Sequence, residues 1–306
     1  KTRKQLFDVL TVFAVSGALV CLYGVAQYIF GWDTSAAWVD EEMFSDIKMR
    51  VYSTLENPNV LGEYILLVLP VCIGLVWQKP KKLAKLVYIA MAGIMFATLI
   101  LTFSRGCWIG FMITAGLFVT FVCGKIWGLA LIALPFLPMV LPESIINRIA
   151  SVGDMKDSST SYRVYIWYGS LAMVKDFWAS GIGPGTQAFK SVYPFYSYSG
   201  IVAPHSHNMF LQILVESGIV GIGVFLTTIV MFFKKLINGY QSTSGKGSKL
   251  GAMIVAIGAG VAGFCVQGMF DNCFYNYRVF LIFWIVLALG IAAVSYTHLR
   301  AHETRH

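Results

Sequence analysis

The chain has 306 residues, of which 57% are hydrophobic and only 12% are charged, and its mean hydropathy is +0.70. Soluble domains carry roughly twice that share of charged residues, so the composition excludes a soluble domain and indicates a membrane protein. The formal net charge of +8 would suit a nucleic-acid partner. The basic residues instead follow a membrane-topology pattern, and we expect no nucleic-acid binding.

Apolar runs of about 20 residues, the length that crosses a bilayer as a helix, recur along the whole chain. They predict an all-α, polytopic transmembrane helix bundle with eight spans, at residues 7–30, 59–77, 83–103, 107–123, 126–141, 206–233, 250–270 and 278–294. The six cysteines lie in or beside these runs without paired spacing. We therefore expect neither a disulfide framework nor a metal site.

Lysines and arginines in the short loops predict the orientation of the bundle. With alternating spans, one side carries 12 basic residues and the single acid Asp8, whereas the other side carries 9 basic and 13 acidic residues. The basic side is therefore predicted to be cytoplasmic. Its charges lie before the first span and in three loops, at Lys1–Lys4, Lys79–Lys85, Lys125 and Lys234–Lys249.

Two long segments are predicted on the outer side. Residues 31–58 are acidic and aromatic and end in ENPN, where a helix can be capped as the chain re-enters the membrane. Residues 142–205 are long enough for a small extramembrane layer, with a helix predicted over Ser161–Asp176 and Thr160 or Ser161 as its cap. The glycines of Gly181–Thr186 lack the lysine of a phosphate-binding loop and predict a tight turn.

The stretch Pro204–Gly218, PHSHNMFLQILVESG, joins this outer segment to an apolar helix. Asn208, Gln212 and Glu216 recur every four residues and form one polar stripe on that helix. A carboxylate in an apolar segment is costly and usually faces a wet cavity or a partner, although a polar face buried against other helices is the alternative. His207 directly precedes the stripe, and His205 lies two residues earlier.

Two arginines on the outer side are predicted at positions that disfavour a cation, Arg105 by the charge bias and Arg163 by the helix dipole, which indicates specific partners. Arg105 lies at the mouth between the third and fourth spans, where the alternative is an interface anchor. Arg163 is predicted in the first turn of the loop helix, where a cation opposes the helix dipole. Guanidinium groups bind phosphate and diphosphate oxygens in a bidentate manner.

Three motifs of this chain together resemble the O-antigen ligase family. They are SRGCWIG at Ser104–Gly110, SYR with GIGPG in the outer segment, and HSHNMFLQILVESGIVG from His205. The resemblance covers most of the chain from Glu56 to about Gly290. It implies a C-type glycosyltransferase-like helical fold, with about twelve spans in the full-length protein.

The resemblance also implies a reaction, namely transfer of a glycan from a polyprenyl-diphosphate carrier to a hydroxyl of a glycan, lipid or protein acceptor. It implies no nucleotide sugar, cofactor or metal, and a site on the outer, periplasmic side of the bacterial inner membrane. It makes His207, Arg105 and Arg163 the catalytic residues. We assign His205, Asn208, Gln212 and Glu216 to substrate binding. The alternatives are a transporter of a small anion and an inactive scaffold of a polysaccharide-export system.

We expect residues 1–293 to form the ligase domain, as a fragment lacking N-terminal spans, with residues 142–205 as its periplasmic loop. The tail from Val294, VSYTHLRAHETRH, resembles the translation of a sequencing adapter. We therefore expect residues 294–306 to be an artefact, and we do not interpret the regular spacing of His298, His302 and His306 as a metal site.

Overall fold

A computed structural model of the chain describes residues 3–32, 47, 49–78, 81–133, 141–243 and 248–303. In these residues the structure is all-helical, which confirms the predicted fold class. The eleven α-helices of the described residues are α1 (Arg3–Phe30), α2 (Pro58–Gln78), α3 (Lys82–Leu101), α4 (Arg105–Val122), α5 (Ile126–Ala133), α6 (Glu143–Ala150), α7 (Ser158–Phe177), α8 (Thr186–Val192), α9 (Met209–Gln241), α10 (Lys249–Gln267) and α11 (Tyr277–Glu303).

Seven of the described helices are long and apolar enough to cross a membrane: α1 to α4 and α9 to α11. Of the predicted span at 126–141, α5 forms the first part, and residues 134–140 lie outside the described residues. Arg148 on α6 donates to the carbonyl of Phe103, two residues before the start of α4. The chain therefore leaves α4 at the last residue of that helix, and α6 lies beside its first residues. The predicted span at 126–141 requires this return.

Helices α2 and α10 form the centre of the bundle. Their most apolar windows are 89% and 72% buried, compared with 22–39% for the other spans. Helices α4 and α10 approach so closely that a Cβ on Gly263 would lie 2.3 Å from the carbonyl oxygen of Gly110. Thr114 adds an interhelical hydrogen bond to the carbonyl of Ala259, at 3.1 Å. Small residues permit this close packing. Lipid tails are as apolar as the helix surfaces, so in a membrane such packing, rather than the hydrophobic effect, stabilises contacts between helices.

Helix α9 is broken near its start, at Gly218, whose φ of 63° and ψ of −167° are not helical. Its 33 residues would be about 50 Å long if straight, well beyond the roughly 30 Å of a bilayer core. The break frees the carbonyls of Val215 and Glu216, which accept hydrogen bonds from the amides of Ile182 and Gly183 at 2.9 and 3.1 Å. Amides of the GIGPG turn therefore supply hydrogen bonds to the carbonyls that the break leaves free. Residues 209–217 form a separate short helical segment.

The segment between α5 and α9 packs on one end of the bundle around its own small core of Ile166, Met173, Phe189, Tyr193, Ala203 and Val215. The predicted cap of its long helix is wrong. Helix α7 begins at Ser158, and the side chain of Asp157 accepts from the amides of Ser159 and Thr160. The helix starts earlier because Asp157, which is among the preferred N-cap residues, precedes the polar run and already satisfies two of its free amides.

Other sequence predictions fall at the ends of helices or beyond the described residues. The ENPN cap is confirmed, because Asn57 accepts from the amide of Asn59 at 2.8 Å. Helix α11 continues past Val294 to Glu303, and the origin of the tail stays a prediction. Most of the acidic segment (33–46), three of the basic residues counted for orientation (Lys1, Lys79 and Lys246) and His306 lie outside the described residues.

Candidate active site

A cavity of about 530 Å³ lies at the end of the bundle, where α2, α7 and the α10–α11 turn meet the residues before α9. Polar and charged side chains from segments far apart in sequence line it: Arg50, Asn59, Glu63, Arg148, Asp157, Tyr162, Arg163, His205, His207, Asp271 and Tyr275. The structure thus brings His205, His207 and Arg163, three of the predicted site residues, to one cavity.

His207 forms a dyad with Asp271, a residue that sequence reasoning did not assign to the site. The Nδ1 atom of His207 lies 2.9 Å from the Oδ1 atom of Asp271. A carboxylate accepts only, so Nδ1 carries the proton and Nε2 of the neutral ring is left as the basic nitrogen. The backbone of His207 has a φ of 49°, and Trp167 donates its indole N–H to the His207 carbonyl at 3.3 Å.

Asp271 is itself held from three directions in the turn between α10 and α11. Its Oδ2 accepts from the Asn59 amide at 3.0 Å, its Oδ1 accepts from the backbone N–H of Asn272 at 2.9 Å, and Arg163 lies 3.9 Å away. Burial alone would raise the pKa of this carboxyl. The interaction with His207, together with the charge of Arg163, outweighs burial and holds the pKa of Asp271 well below its usual range.

The turn and the histidine segment are also joined through their backbones. The amide of Met209, the first residue of α9, donates to the carbonyls of Gly268 and Asp271 at 2.7 and 3.0 Å. Asn208 caps α9 by accepting from the amide of Leu211, and its side-chain amide donates to the carbonyl of Met269 at 3.1 Å. Asn208 therefore positions the dyad. It lines neither this cavity nor the two neighbouring cavities that are described below.

His205 is more constrained than its place before the helix indicated. It is 6% exposed, and its Nδ1 accepts from the amide of His207 at 3.2 Å. Its ring lies 4.1 Å from the His207 ring and 4.5 Å from the Tyr275 ring. Burial, with the neighbouring His207, lowers the pKa of His205 to about 3, so this imidazole is neutral, with its proton on Nε2.

Arg163 faces the dyad from the second turn of α7, because that helix begins at Ser158. The prediction that it opposes the helix dipole in the first turn is therefore wrong, since the dipole acts mainly within that turn. The guanidinium donates to the carbonyl of Ser159 at 3.1 Å and to its hydroxyl. Its Nε is buried without a hydrogen-bond partner. A buried donor without a partner is costly, and an anion in the cavity would satisfy it.

Two further arginines extend the basic wall of the cavity. Arg50 donates to the side-chain oxygen of Asn59 at 2.7 Å and to the carbonyl of Thr102 at 2.8 Å. Arg148 lies 3.8 Å from the carboxylate of Asp157. Sequence reasoning assigned neither arginine to the site, because Arg50 follows an acidic segment and Arg148 lies in a short amphipathic helix.

Arg105 lies beside this cavity, in an adjoining one of about 300 Å³ that Arg50, Arg148 and Arg163 also line. It forms an ion pair with Asp157 and donates to the carbonyl and hydroxyl of Ser151 at 2.8 and 2.7 Å. Because Asp157 also caps α7, Arg105 is connected through that cap to the helix that carries Arg163. Asp157 was not predicted as part of the site.

Gln212 and Glu216, which belong to the polar stripe that follows the histidines, lie in a different environment from the dyad. Gln212 accepts from the amide of Ser206 at 2.7 Å and donates to Glu216 Oε1 at 2.8 Å. Both line a third cavity of about 470 Å³, which shares His205, Asn272 and Tyr275 with the first. Glu216 thus lines a cavity and is not packed between helices.

His205, His207 and Asp271 each offer a ligand atom to one point, since these atoms lie within 4.8 Å of one another. His207 Nδ1 already bonds Asp271 Oδ1, and His205 Nδ1 already accepts from the backbone amide of His207. The Arg163 guanidinium lies 3.9 Å from Asp271. A cation there would have to displace these hydrogen bonds and would be repelled by the arginine. The cluster is therefore better suited to proton transfer than to metal binding.

Comparison with known proteins agrees with the motifs on which this site is built. The family model described as O-antigen ligase matches residues 90–226, which include Arg105, Arg163 and the histidine segment. The match supports the assignment of this segment to the O-antigen ligase family. No curated protein matches it. The family match supports a multi-pass membrane enzyme that transfers glycans in polysaccharide assembly.

Asp271 is the residue that sequence reasoning about this O-antigen ligase domain missed most clearly, since it lies beyond the matched segment. One signal was present: DNCFYNYR is a short turn between two apolar spans, on the same predicted side as the histidines. An acid confined to such a turn has few partners within reach, and the histidine segment is one of them.

Proposed function

We propose that this enzyme transfers a glycan from a polyprenyl-diphosphate carrier to an acceptor hydroxyl, without a metal, on the outer side of the bacterial inner membrane. The observation that carries the proposal is that one cavity holds both the His207–Asp271 dyad and the arginine wall with the buried, unpartnered Nε of Arg163. A base and an anion-binding surface are the two groups that this chemistry requires.

In the proposed reaction, Nε2 of His207 takes the proton of the acceptor hydroxyl as that oxygen attacks the anomeric carbon of the donor glycan. The bond between this carbon and the diphosphate oxygen breaks, and the polyprenyl diphosphate leaves with the negative charge. Asp271 keeps the imidazole oriented and stabilises it once it is protonated. The proton leaves the dyad after the products separate.

The departing diphosphate needs charge stabilisation rather than a proton, since it is already a good leaving group. Arg163 is best placed to supply it, because one guanidinium N–H is unused. Arg50 and Arg148 line the same wall and add positive charge. We propose that Arg105 acts mainly by holding Asp157 and so positioning Arg163. Preorganised cations of this kind stabilise charge that develops in the transition state.

The first test is the His207→Ala variant, measured for donor binding and single-turnover transfer in the full-length protein. Base catalysis contributes about a hundred- to ten-thousand-fold, so we expect a rate loss of that order with donor affinity nearly unchanged. Normal transfer at saturating donor, with poor donor binding, would make His207 a diphosphate contact and refute its role as base. Transfer should also persist in excess chelator, and its loss there would contradict a metal-free reaction.

The second test compares Arg163→Lys with Arg278→Lys. Lysine keeps the charge but loses the guanidinium fork, so Arg163→Lys should weaken donor binding and transfer substantially. Arg278 is a matched control, because it lies at the same end of the bundle, its side chain is 43% exposed, and it lines none of the three cavities. Equal activity in the two variants would remove Arg163 from the donor site.

A further inference from the structure

The third cavity differs in chemistry from the cavity that holds the dyad. The residues that line it include no lysine and no arginine, and its one charged residue is Glu216. Aromatic side chains from α9, the α10–α11 turn and α11 form much of its wall: Phe225, Phe274, Tyr275, Tyr277, Phe280 and Trp284. A diphosphate would be repelled by this carboxylate and would find no cation among the described lining residues.

Glu216 is held in a position to bind a ligand. Its Oε1 accepts from Gln212 at 2.8 Å, and Gln212 is fixed in turn by the amide of Ser206. No hydrogen bond to Oε2 is found in the described part of the chain, so this oxygen can accept from a bound hydroxyl or amine. The break at Gly218 and the GIGPG turn hold the end of this short helical segment in place.

The aromatic wall and the carboxylate together match a sugar. A pyranose ring presents an apolar face, which stacks on aromatic rings, and a rim of hydroxyls, which donate to carboxylates. A prenyl chain would match the rings but would leave Oε2 of Glu216 without a partner, which is unfavourable for a carboxylate in an apolar contact. Trp284, Phe280 and Tyr277 are 37%, 38% and 66% exposed, so their rings are accessible.

The two cavities meet at His205, Asn272 and Tyr275, which line both. The His205 ring is 4.1 Å from the His207 ring. Since Nδ1 of His205 accepts from the backbone, its Nε2–H is the donor left for a ligand. A sugar in the third cavity would therefore have its edge close to the dyad.

From this juxtaposition we infer that the third cavity, with Glu216 and Trp284, is the acceptor subsite and binds an uncharged or amino sugar of the acceptor glycan. The inference rests on the proposed function, because it assigns the two substrates of that reaction to two separate cavities. The donor diphosphate lies on the arginine side of His207, and the acceptor sugar lies on the aromatic side. GIGPGT, whose Gly185 and Thr186 line the cavity, thereby becomes part of the acceptor site.

The test measures transfer as a function of each substrate in turn. The substrates are polyprenyl-diphosphate glycan and acceptor, both extracted from a strain in which the gene is deleted. Glu216→Gln and Trp284→Leu should each raise the acceptor KM about tenfold, and leave the donor KM and the slow hydrolysis of donor by water unchanged. The matched controls Glu143→Gln and Trp127→Leu lie outside the three cavities, are exposed, and should behave as wild type.

A raised donor KM, or a new dependence on the length of the donor's prenyl chain, would assign the cavity to the carrier lipid and overturn the inference. Unchanged kinetics in both variants would also overturn it. If wild-type protein neither transfers glycan nor cleaves donor, the proposed function itself fails, which is a separate outcome.

A second measurement covers the case in which a variant fails to fold. A photocrosslinking residue in place of Thr186 should capture radiolabelled acceptor and not donor, and one in place of Ser158, at the first cavity, should show the reverse. Capture of donor at position 186 would contradict the assignment even if no kinetic variant were active.

Discussion

The Asp271→Asn variant examines the dyad most directly, because the two side chains have nearly the same shape. Both carboxylate oxygens accept hydrogen bonds: Oδ1 from His207 and from the amide of Asn272, and Oδ2 from Asn59, with Arg163 3.9 Å away. An amide supplies one accepting oxygen and one donating NH₂. Either orientation therefore places a donor against a donor.

The size of the effect follows from the two orientations. If the amide oxygen faces His207, the negative charge that stabilises the protonated imidazole is lost. If the NH₂ group faces His207, Nδ1 must accept, so the proton moves to Nε2 and the base is removed. We expect kcat to fall by about a hundred- to ten-thousand-fold, or roughly 2.7–5.4 kcal/mol of barrier, with donor affinity nearly unchanged.

Single-turnover transfer and donor binding in reconstituted full-length protein provide the assay. Asp176→Asn is the matched control, since Asp176 accepts from Tyr196 at the exposed end of α7, away from the cavities. A wild-type rate in Asp271→Asn would show that the carboxylate does not support a base. A large loss of donor affinity with a normal rate at saturation would instead assign Asp271 to the organisation of Arg163.

The pH dependence of this variant adds a further condition. The pKa of Asp271 is held below its usual range, so the carboxylate stays ionised above the ordinary aspartate value near 4. Its contribution is present above that pH and is lost only as pH falls through the lower value in the folded protein. In thermal melts, the difference in stability between wild type and variant should therefore persist at pH 5, and convergence of the two stabilities there would refute the ionised carboxylate.

Three other predictions follow from the same contacts. Arg105→Lys should reduce transfer less than the corresponding change at Arg163, because its role is to hold Asp157; an equal loss, measured in the same assay, would make it a direct donor contact. Since the pKa of His205 falls from 6.5 to about 3 on folding, the unfolded chain binds more protons between those values, and stability decreases as pH falls below 6.5. In thermal melts, the stability of His205→Gln should therefore fall less than that of wild type as pH decreases. The same dependence of stability on pH in both proteins would contradict this prediction. Gly218→Ala would place a Cβ 2.2 Å from a carbonyl oxygen and should lower both the yield of folded protein and transfer, whereas Gly223→Ala, with nothing within 4 Å, should not.

The fold class of this protein was determined locally, by the sequence itself. A bilayer requires runs of about 20 apolar residues whose backbone groups bond within each helix, so hydropathy locates spans without knowledge of their packing. The family was likewise readable, because the motifs around Arg105, Arg163 and His207 are contiguous, and the match over 90–226 confirmed it. Charge bias predicts an orientation, which stays a prediction.

Contacts between distant residues were decided only by the tertiary structure. Asp271 lies 64 positions from His207, and Asn59, which holds it, lies 212 positions from Asp271. Nothing in the local pattern of an acid ranks one partner above another, because the free energy of an ion pair depends on distance and burial that appear only when the chain has packed. The same reason explains why Asp157 was missed as the partner of Arg105.

The break in α9 depends both on the local sequence and on tertiary contacts. The apolar run from residue 206 to 233 predicts one continuous helix, and ESG within it contains no proline that would require a kink. The helix breaks because the turn at Gly181 offers amides to the freed carbonyls and because Gly218 leaves room for the backbone at Ala179. The apolar composition thus determined the length of the helix. A loop about 35 residues earlier determined the position of the break, which has Glu216 beside it.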